Sequence, residues 1–398
     1  MAQVFHQIKK RFHLPQRPFI CENLAPDMVS TQMRRSIFSG FVALSLSASV
    51  AHAQIEPQPR QTGRPDAQMK AVLNALKGLG AKPLHTLNYK QARVQPGPPD
   101  AVRTVLQQQG RATTPEAVDS VRDVKMNTPR GPVTVRLYRP QGSGASNLPV
   151  IVYFHGGGFV IASVAAYDSS CRALANASGA LVAAVAYSLS PERRLPTAHE
   201  QCYAVTQTMI NGGAQRFGGD SSKVAVAGES AGGNLAIDMS LMAQMRGGKK
   251  PVYELLVYPF INGKTIYPSH QQFQKQAPLS TPDIPWFLNY ALPTNPRQRA
   301  QLVNSPLAQP LYAPGALLKG LPPTTIVAAE LDPLRSEGLI FARKLQRAGV
   351  PVRYRLYPGV THEFFGMGAV VDKAKDAVNY GAAGLRMGFG MDMMKSGK

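Results

Sequence analysis

The feature of this sequence that most constrains its fold is an alternation of apolar runs with amphipathic, helix-like segments. Runs that are apolar throughout indicate strands with both faces covered, as in a parallel sheet flanked by helices. From residue 149 onward the alternation is regular, which predicts an α/β fold with a mostly parallel central sheet and helices on both faces. The predicted strands are 120–127 and 133–140 around the turn TPRGP, then 149–155, 180–187, 223–228, 254–259, 324–330 and 352–358. The predicted helices are 168–178, 197–211, 231–245 and 336–348, with a last one from 369.

Several segments fall outside this alternation and define the expected domain organisation. Residues 54–65 are rich in Pro and Gln, which is typical of a linker. Two amphipathic helices are predicted within 66–118, ahead of any strand, and a Pro- and aromatic-bearing insertion is expected at 261–312. We expect both to form a cap on the main domain, which spans 119–398. The two leading helices are predicted at 66–80 and 99–109.

The N-terminus has the pattern of a targeting signal. Arg34 and Arg35 precede a short apolar run at 37–50, followed by the small-residue triplet Ala-His-Ala that ends at Ala53. A basic start, a short apolar region and an A-x-A cleavage site predict an export presequence over 1–53, hence a periplasmic or secreted mature protein. An amphipathic first helix of the fold is the alternative.

The charge balance is strongly basic, with 44 Lys and Arg against 23 Asp and Glu and a formal net charge of +21. Nucleic-acid-binding proteins gather such charge into runs or onto one helix face, whereas here it is scattered along the chain. We interpret it as a solvated basic surface and expect no nucleic-acid partner. No stretch approaches the ~20 apolar residues that a membrane-spanning helix needs, so we expect no stable membrane span.

One serine lies among glycines in the segment GESAGGN, at 228–234. Ser230 follows an apolar predicted strand and directly precedes a helix that is predicted to begin at Ala231. G-x-S-x-G at a strand-to-helix turn is the nucleophile elbow, in which glycines permit a sharp bend and leave the hydroxyl at the sheet edge. The helix N-terminus adds unpaired N–H groups beside any developing oxyanion. Ser230 is therefore the predicted nucleophile.

A glycine loop, HGGGF at 155–159, follows the strand upstream of Ser230, where an oxyanion-hole loop belongs in such a fold. The backbone N–H groups of Gly156, Gly157 and Ala231 are the predicted oxyanion donors. A flexible surface turn is the alternative interpretation. A phosphate cradle is disfavoured because no Lys follows the glycines and the chain contains no G-x-x-x-x-G-K-S/T motif.

Five motifs occur in one order along the chain: HGGGF, VAYSLSPERRLPTA, GESAGGN, LDPLRSEG and THEFFGM. In these motifs and their spacing, residues 62–385 resemble the bacterial hormone-sensitive-lipase-like esterases and lipases of the α/β-hydrolase superfamily. The resemblance implies an α/β-hydrolase fold with a helical cap. It also implies a catalytic triad of Ser230 as nucleophile, Asp332 as acid and His362 as base.

The sequence departs from the family pattern at two places near the base. Ser336 stands where an acidic residue is common, and HEFF, at 362–365, stands where His-Gly-Phe is usual. Neither departure removes a member of the triad. Both are expected to alter the shape of the pocket.

The position of the triad also follows from the order Ser, Asp, His, since acid and base are placed after later strands of this fold. Asp332 and His362 follow the last two predicted strands, so both should reach the same sheet edge as Ser230. Glu330 and Glu337 are the alternative acids, disfavoured because they lie outside the loop. His155 is expected to hold the glycine loop rather than to act as a base.

These residues predict an exported serine carboxylesterase that acts on a small-molecule ester through an acyl-enzyme. The family resemblance implies short to medium acyl chains. An amidase or deacetylase with the same triad, and a non-catalytic binding module on this fold, are the alternatives. Neither cofactor nor metal is expected, because no Cys/His cluster has ligand spacing. A homodimer is left open.

Two further predictions concern the cysteines and the aromatic residues of the insertion. In the fold that the resemblance implies, the helices that carry Cys171 and Cys202 lie on opposite faces of the sheet, too far apart for a disulfide. We therefore expect two free, buried thiols. Trp286, Phe287 and Tyr290 either line an acyl or alcohol pocket or hold the cap together.

Overall fold

The structure, a computed structural model, describes residues 54–144 and 147–391 of the chain. The export presequence expected at 1–53 lies outside the described residues. Within the two described ranges, nine strands form a single sheet. The strands are β1 (Gln54–Ile55), β2 (Ser120–Met126), β3 (Val133–Arg139), β4 (Leu148–Phe154), β5 (Leu181–Ala186), β6 (Gly219–Glu229), β7 (Glu254–Val257), β8 (Thr324–Leu331) and β9 (Val352–Thr361).

The sheet is parallel except at one edge. Its strand order is β1-β9-β8-β7-β6-β4-β5-β3-β2. Pairs from β1 across to β5 are parallel, while β5–β3 and β3–β2 are antiparallel. Every residue of β4 and β8 is buried, as expected for strands covered on both faces. The mostly parallel sheet predicted from the apolar runs is confirmed.

Helices cover both faces of this sheet. Alternate residues of β4 divide between two apolar clusters: Val152 and Phe154 join one, and Ile151 and Tyr153 join the other. No helix in the described part of the chain is long and apolar enough to cross a membrane. The helices are α1 (Ala67–Gly78), α2 (Tyr89–Val94), α3 (Pro98–Gln108), α4 (Asp168–Ser178), α5 (Thr197–Ile210), α6 (Ala231–Arg246), α7 (Pro268–Gln272), α8 (Asp283–Ala291), α9 (Pro296–Val303), α10 (Gly315–Leu318), α11 (Arg335–Arg347) and α12 (Asp372–Gly388).

The predicted elements are present, with one shift that matters near the site. Strand β9 continues to Thr361, past the predicted end at 358, so His362 follows the strand directly. Helix α2 was not among the predicted elements. It is a six-residue helix with a capping box, in which Asn88 accepts from the N–H of Gln91 and the Gln91 amide accepts from the N–H of Asn88. A segment this short has too few residues to reveal a helical period.

The predicted linker, 54–65, is anchored to the domain at two places. Its first residues form β1 along the edge of β9. Further on, the N–H of Gly63 and the hydroxyl of Thr62 donate to the buried carboxylate of Glu330, at 2.6 and 3.2 Å. Pro and Gln content therefore identified a segment without helix, but not one that is independent of the core.

The segment 66–118, predicted to form cap helices, divides between core and cap. Helices α1 and α3 bury apolar residues such as Met69 and Val105 in the same cluster as Tyr153 of the sheet. Residues 84–94 instead contact the insertion, where the indole N–H of Trp286 donates to the carbonyl of Leu87 at 2.8 Å. The apolar stripes of α1 and α3 are thus buried against the main domain.

The two cysteines within the described residues are free and buried, as predicted. Cys171 lies on α4 and Cys202 on α5. They belong to the two different apolar clusters that the sheet separates. Their separation by a layer of strands is the physical reason why no bridge forms between them.

Candidate active site

Ser230 occupies a sharp turn between β6 and α6. Its backbone has φ 56° and ψ −117°, a strained conformation that costs a non-glycine residue about 1–3 kcal/mol. The N–H of Ser230 donates to the carbonyl of Val257 at 2.9 Å. Its carbonyl accepts from the N–H groups of Asn234 and Phe260, at 3.1 and 3.0 Å. These bonds from two neighbouring elements hold the turn in place.

The glycines around Ser230 are required by close backbone contacts. A Cβ on Gly228 would lie 2.0 Å from the carbonyl oxygen of Gly232, and a Cβ on Gly232 would lie 2.0 Å from that of Phe154. A Cβ on Gly233 would lie 2.8 Å from Pro259. Backbone cannot move aside as a flexible side chain can, so only glycine fits between β6, α6 and the end of β4.

The three predicted triad residues lie in hydrogen-bond contact. Nε2 of His362 is 2.9 Å from Oγ of Ser230, and Nδ1 is 2.7 Å from Oδ2 of Asp332. Since an ionised carboxylate can only accept, Nδ1 carries a proton and Nε2 presents its lone pair to the serine hydroxyl. The N–H of Leu334 donates to Oδ1 of Asp332 at 2.8 Å and fixes the carboxylate.

The groups around His362 raise the pKa of its imidazole. Burial alone would lower the pKa of this imidazole, because a charge is costly away from water. The carboxylate of Asp332 outweighs that effect, with smaller contributions from Glu363 and Glu229, so the pKa of His362 is raised above 6.5. The arrangement is suited to a base that must carry a positive charge transiently.

The alternative acids do not reach His362. Glu330 accepts hydrogen bonds from the backbone N–H groups of Gly63 and Gly359, at 2.6 and 2.7 Å. Glu337 lies buried in α11, and this burial raises its pKa well above the usual range. Of the candidate carboxylates, Asp332 is the one that contacts Nδ1.

The glycine loop is fixed from behind by two aromatic residues. Nδ1 of His155 lies 2.7 Å from the carbonyl of Gly156, and its ring stacks on Tyr187 with centroids 4.3 Å apart. Burial lowers the pKa of His155 to about 4, so it is a neutral structural group, as its predicted role requires. Gly157 and Gly158 have φ of 93° and 58°, in the region that favours glycine.

A small apolar cavity adjoins the serine. It has a volume of about 30 Å³. Of the predicted oxyanion donors, Ala231 borders it, whereas Gly156 and Gly157 do not and stay predictions. Gly158, the third glycine of the same motif, does border the cavity, but it was not among the predicted site residues. The cavity is lined by Gly158, Phe159, Ser230, Ala231, Phe260, Leu279, Ile284, Phe287, Leu288 and Leu334.

The aromatic residues of the insertion have different roles. Phe287 lines the cavity. Trp286 does not, and its indole bonds to Leu87 as described above. The ring of Tyr290 packs against Tyr89, with centroids 5.3 Å apart. Of the three, one forms the pocket wall and two hold the cap against residues 84–94.

Ser336 joins the cap to the loop that carries Asp332. The hydroxyl of Ser269, in the insertion, donates to the carbonyl of Pro333 at 2.6 Å and accepts from the N–H of Ser336 at 3.1 Å. The hydroxyl of Ser336 in turn accepts from the N–H of Ser269 at 3.3 Å.

Within the described residues, no cluster of three or more His, Cys, Asp or Glu side chains could hold a metal ion.

A parallel sheet with a serine elbow, and an Asp–His pair placed on it by later strands, defines the α/β-hydrolases. A sequence model of a family described as having the α/β-hydrolase fold matches residues 151–366. The chain belongs to the hormone-sensitive-lipase-like branch of this superfamily, a family of carboxylic-ester hydrolases. The predicted family and fold class are thus confirmed.

Individual relatives agree with this placement. The chain is 33% identical to an ethyl acetate hydrolase of Pseudomonas putida over 74% of this chain and 89% of that enzyme. It is 36% identical to a carboxylesterase of Mycobacterium tuberculosis over 64% of this chain and 78% of the relative. Among solved structures it is similar to an esterase of the archaeon Pyrobaculum calidifontis, with a TM-score of 0.71 and 31% identity over 81% of this chain and 98% of that one.

Proposed function

We propose that the protein is an exported serine carboxylesterase that cleaves short- to medium-chain carboxylic esters through an acyl-enzyme intermediate. The observation that carries this proposal is the 2.9 Å contact between Oγ of Ser230 and Nε2 of His362, with Asp332 on the other side of the imidazole. A complete nucleophile, base and acid favours turnover over a role as a binding module.

In the proposed mechanism, Nε2 of His362 takes the serine proton as Oγ attacks the ester carbonyl. The resulting oxyanion lies at the N-terminus of α6, where the N–H of Ala231 and N–H groups of the glycine loop would stabilise it. Collapse of this intermediate passes the proton from Nε2 to the leaving alcohol. A water molecule then attacks the acyl-enzyme with His362 again as base, which releases the carboxylic acid and restores Ser230.

The pocket supports uncharged substrates with small acyl groups. The cavity beside Ser230 is small and lined mainly by aliphatic and aromatic side chains. These side chains offer no partner to a charged group on the substrate. An acyl group would remove this apolar surface from water. The relative named ethyl acetate hydrolase is consistent with the short end of the proposed range.

Fluorophosphonate labelling followed by peptide mapping tests the nucleophile. We expect one adduct, on Ser230, and Ser230→Ala should lower ester turnover on the order of 10⁶-fold, as in the best-studied serine hydrolase. Ser221→Ala serves as the control, because Ser221 bonds to Gln215 away from the site and its removal should leave turnover intact. Matched ester and anilide substrates separate esterase from amidase activity. An adduct on another residue would contradict the proposal.

Export is proposed from the presequence pattern at 34–53. It rests on the basic pair Arg34 and Arg35, the short apolar run after them and the Ala-His-Ala triplet directly ahead of Gln54. Expression of the full chain in a bacterium, with fractionation and N-terminal sequencing, tests the proposal. We expect a periplasmic or secreted form that begins near Gln54. A cytoplasmic protein that retains residues 1–53 would refute export without affecting the proposed reaction.

A further inference from the structure

Glu363, directly after the triad histidine, has an unfavourable backbone conformation. Its φ of 69° and ψ of 6° lie in the left-handed region, which costs a residue with a Cβ about 1–2 kcal/mol relative to the right-handed one. The carboxylate is held by Tyr167, whose hydroxyl lies 2.8 and 2.7 Å from its two oxygens. The conformation thus directs a charged side chain to a defined place.

That place is beside the catalytic nitrogen. Oε1 of Glu363 lies 3.8 Å from Nε2 of His362, the atom that also faces the Ser230 hydroxyl. The distance exceeds a hydrogen bond, so the carboxylate does not replace the serine contact. It is short enough for a strong interaction between charges once Nε2 is protonated.

We propose that Glu363 is a positioning residue that sets the basicity of His362 by holding a second carboxylate beside Nε2. This inference rests on the proposed function, in which His362 is the base. Asp332 orients the imidazole from Nδ1, whereas Glu363 acts on the nitrogen that receives the serine proton. It makes no contact through which it would act as nucleophile or acid itself.

The groups around this pair define its charge. Four titratable groups from other parts of the chain face His362 and Glu363. They are Tyr167, Asp332, Glu229 and Tyr258. Burial raises the pKa of Glu363, while His362 and the Tyr167 hydroxyl oppose that rise. Glu363 is 19% exposed at its side chain and borders a cavity of about 870 Å³, so its carboxylate can exchange protons with solvent.

A carboxylate at this position has two opposing effects on turnover. By stabilising the imidazolium, it lowers the energy of the transition state in which Nε2 carries the proton. By the same interaction it keeps more of the free enzyme protonated, and thus inactive, at low pH. Removal of the charge should therefore lower the rate at high pH and shift the acidic limb of the pH profile to lower pH.

The variant Glu363→Gln tests this inference, because it keeps the size and hydrogen-bonding capacity of the side chain and removes the charge. We expect the acidic limb of kcat/KM to move down by about 1 pH unit and the high-pH plateau to fall by up to about tenfold, so that the two curves converge or cross. Glu116→Gln is the matched control. Glu116 borders the same large cavity at a distance from His362 and should cause no shift.

A second variant separates charge from backbone strain. Glu363→Gly also removes the carboxylate and relieves the left-handed conformation, so it should share the pH shift of Glu363→Gln if the charge is the cause. The titration midpoint of His362, measured by NMR in the wild type and both variants, gives a readout that is independent of turnover. A midpoint that does not fall in either variant overturns the inference. A wild type without ester turnover would instead refute the proposed function.

Discussion

Asp332 controls both the orientation and the charge of His362, since its Oδ2 lies 2.7 Å from Nδ1. The pKa of the imidazole is raised above 6.5 because the Asp332 carboxylate outweighs the effect of burial. Only the neutral imidazole can accept the serine proton. Activity should therefore be full at high pH and be lost as the pH falls through a midpoint above 6.5.

Replacing this acid gives a prediction that differs from the one for Glu363. Asp332→Asn removes the carboxylate that holds the proton on Nδ1, so Nε2 no longer presents a lone pair to Ser230. We expect the high-pH plateau of kcat to fall about 10⁴-fold, as in a serine protease changed in the same way, and the midpoint of the acidic limb to move to lower pH. Initial rates from pH 5 to 9 measure both effects. A variant that keeps wild-type rates at high pH would assign the acid to another residue.

The site residues that lie in recognisable motifs could be predicted from the sequence. Ser230, Asp332 and His362 follow strands that the apolar pattern reveals, and the structure brings them into contact. The interaction of Glu363 with Tyr167 was beyond sequence reasoning, because the two residues are far apart in the chain and meet only through the tertiary fold. A left-handed backbone at a glutamate is equally invisible in the sequence.

Among the elements, α8 carries both the wall of the pocket and the contacts that hold the cap. Phe287 lines the cavity beside Ser230, whereas Trp286 bonds to the backbone of Leu87. The two neighbours point to different sides because successive helix residues are about 100° apart. Their roles can therefore be separated by substitution.

The variant Phe287→Ala should enlarge the cavity beside Ser230, which we propose to hold the acyl group. We expect kcat/KM for octanoate relative to acetate esters to rise by about tenfold or more, because longer chains gain apolar contact that Phe287 now excludes. A series of p-nitrophenyl esters measures this ratio. Trp286→Phe is the control, and it should weaken the cap through loss of its hydrogen bond while leaving the ratio unchanged. Equal ratios in both variants would remove Phe287 from the pocket.

Helices and strands were predicted wherever the apolar period runs over enough residues. α4 matches its predicted bounds, and α6 begins at Ala231 as expected. The elements that were not located are β1 and α2, of two and six residues, and the short helices α7, α8, α9 and α10. A two-residue strand has no period to detect, since its existence depends on the free edge of β9. The capping pair Asn88 and Gln91 was the one local signal for α2.

Considered as a whole, the molecule buries carboxyl groups that make its stability depend on pH. Glu254 is fully buried at the start of β7, and burial raises its pKa to about 8. Its pKa in the unfolded chain is near 4.5. The folded state therefore binds a proton that the unfolded state has lost, and the free energy of unfolding falls as the pH rises from about 4.5 to about 8.

Replacement of this group should reduce that dependence. In Glu254→Gln the change in unfolding free energy between pH 5 and pH 8 should be smaller than in the wild type, by on the order of a few kcal/mol. Urea unfolding at the two pH values measures the difference. Glu116→Gln, on the surface, should behave as the wild type. If Glu254→Gln retained the full pH dependence, the raised pKa would have to be assigned elsewhere.

The layers of the molecule could be predicted from its sequence, but the packing of its N-terminal segment could not. The separation of Cys171 and Cys202 by the sheet followed from the implied topology. The burial of α1 and α3 in the core did not, because an amphipathic helix reveals that it has an apolar face and not which surface that face meets. The anchoring of residues 62–63 by Glu330 is likewise a contact between distant parts of the chain.

Strand β1 is short, yet Gln54 and Ile55 occupy the outer edge of β9 opposite Arg353 and Tyr354. An uncovered strand edge offers unpaired N–H and C=O groups to other molecules. A protease that trimmed the chain slightly past Ile55 would leave Ser230 and His362 in place while removing this cover. The trimmed enzyme would keep its catalytic residues but would tend to aggregate through the exposed edge of β9. Its resistance to aggregation would then depend on an N-terminal strand that takes no part in catalysis.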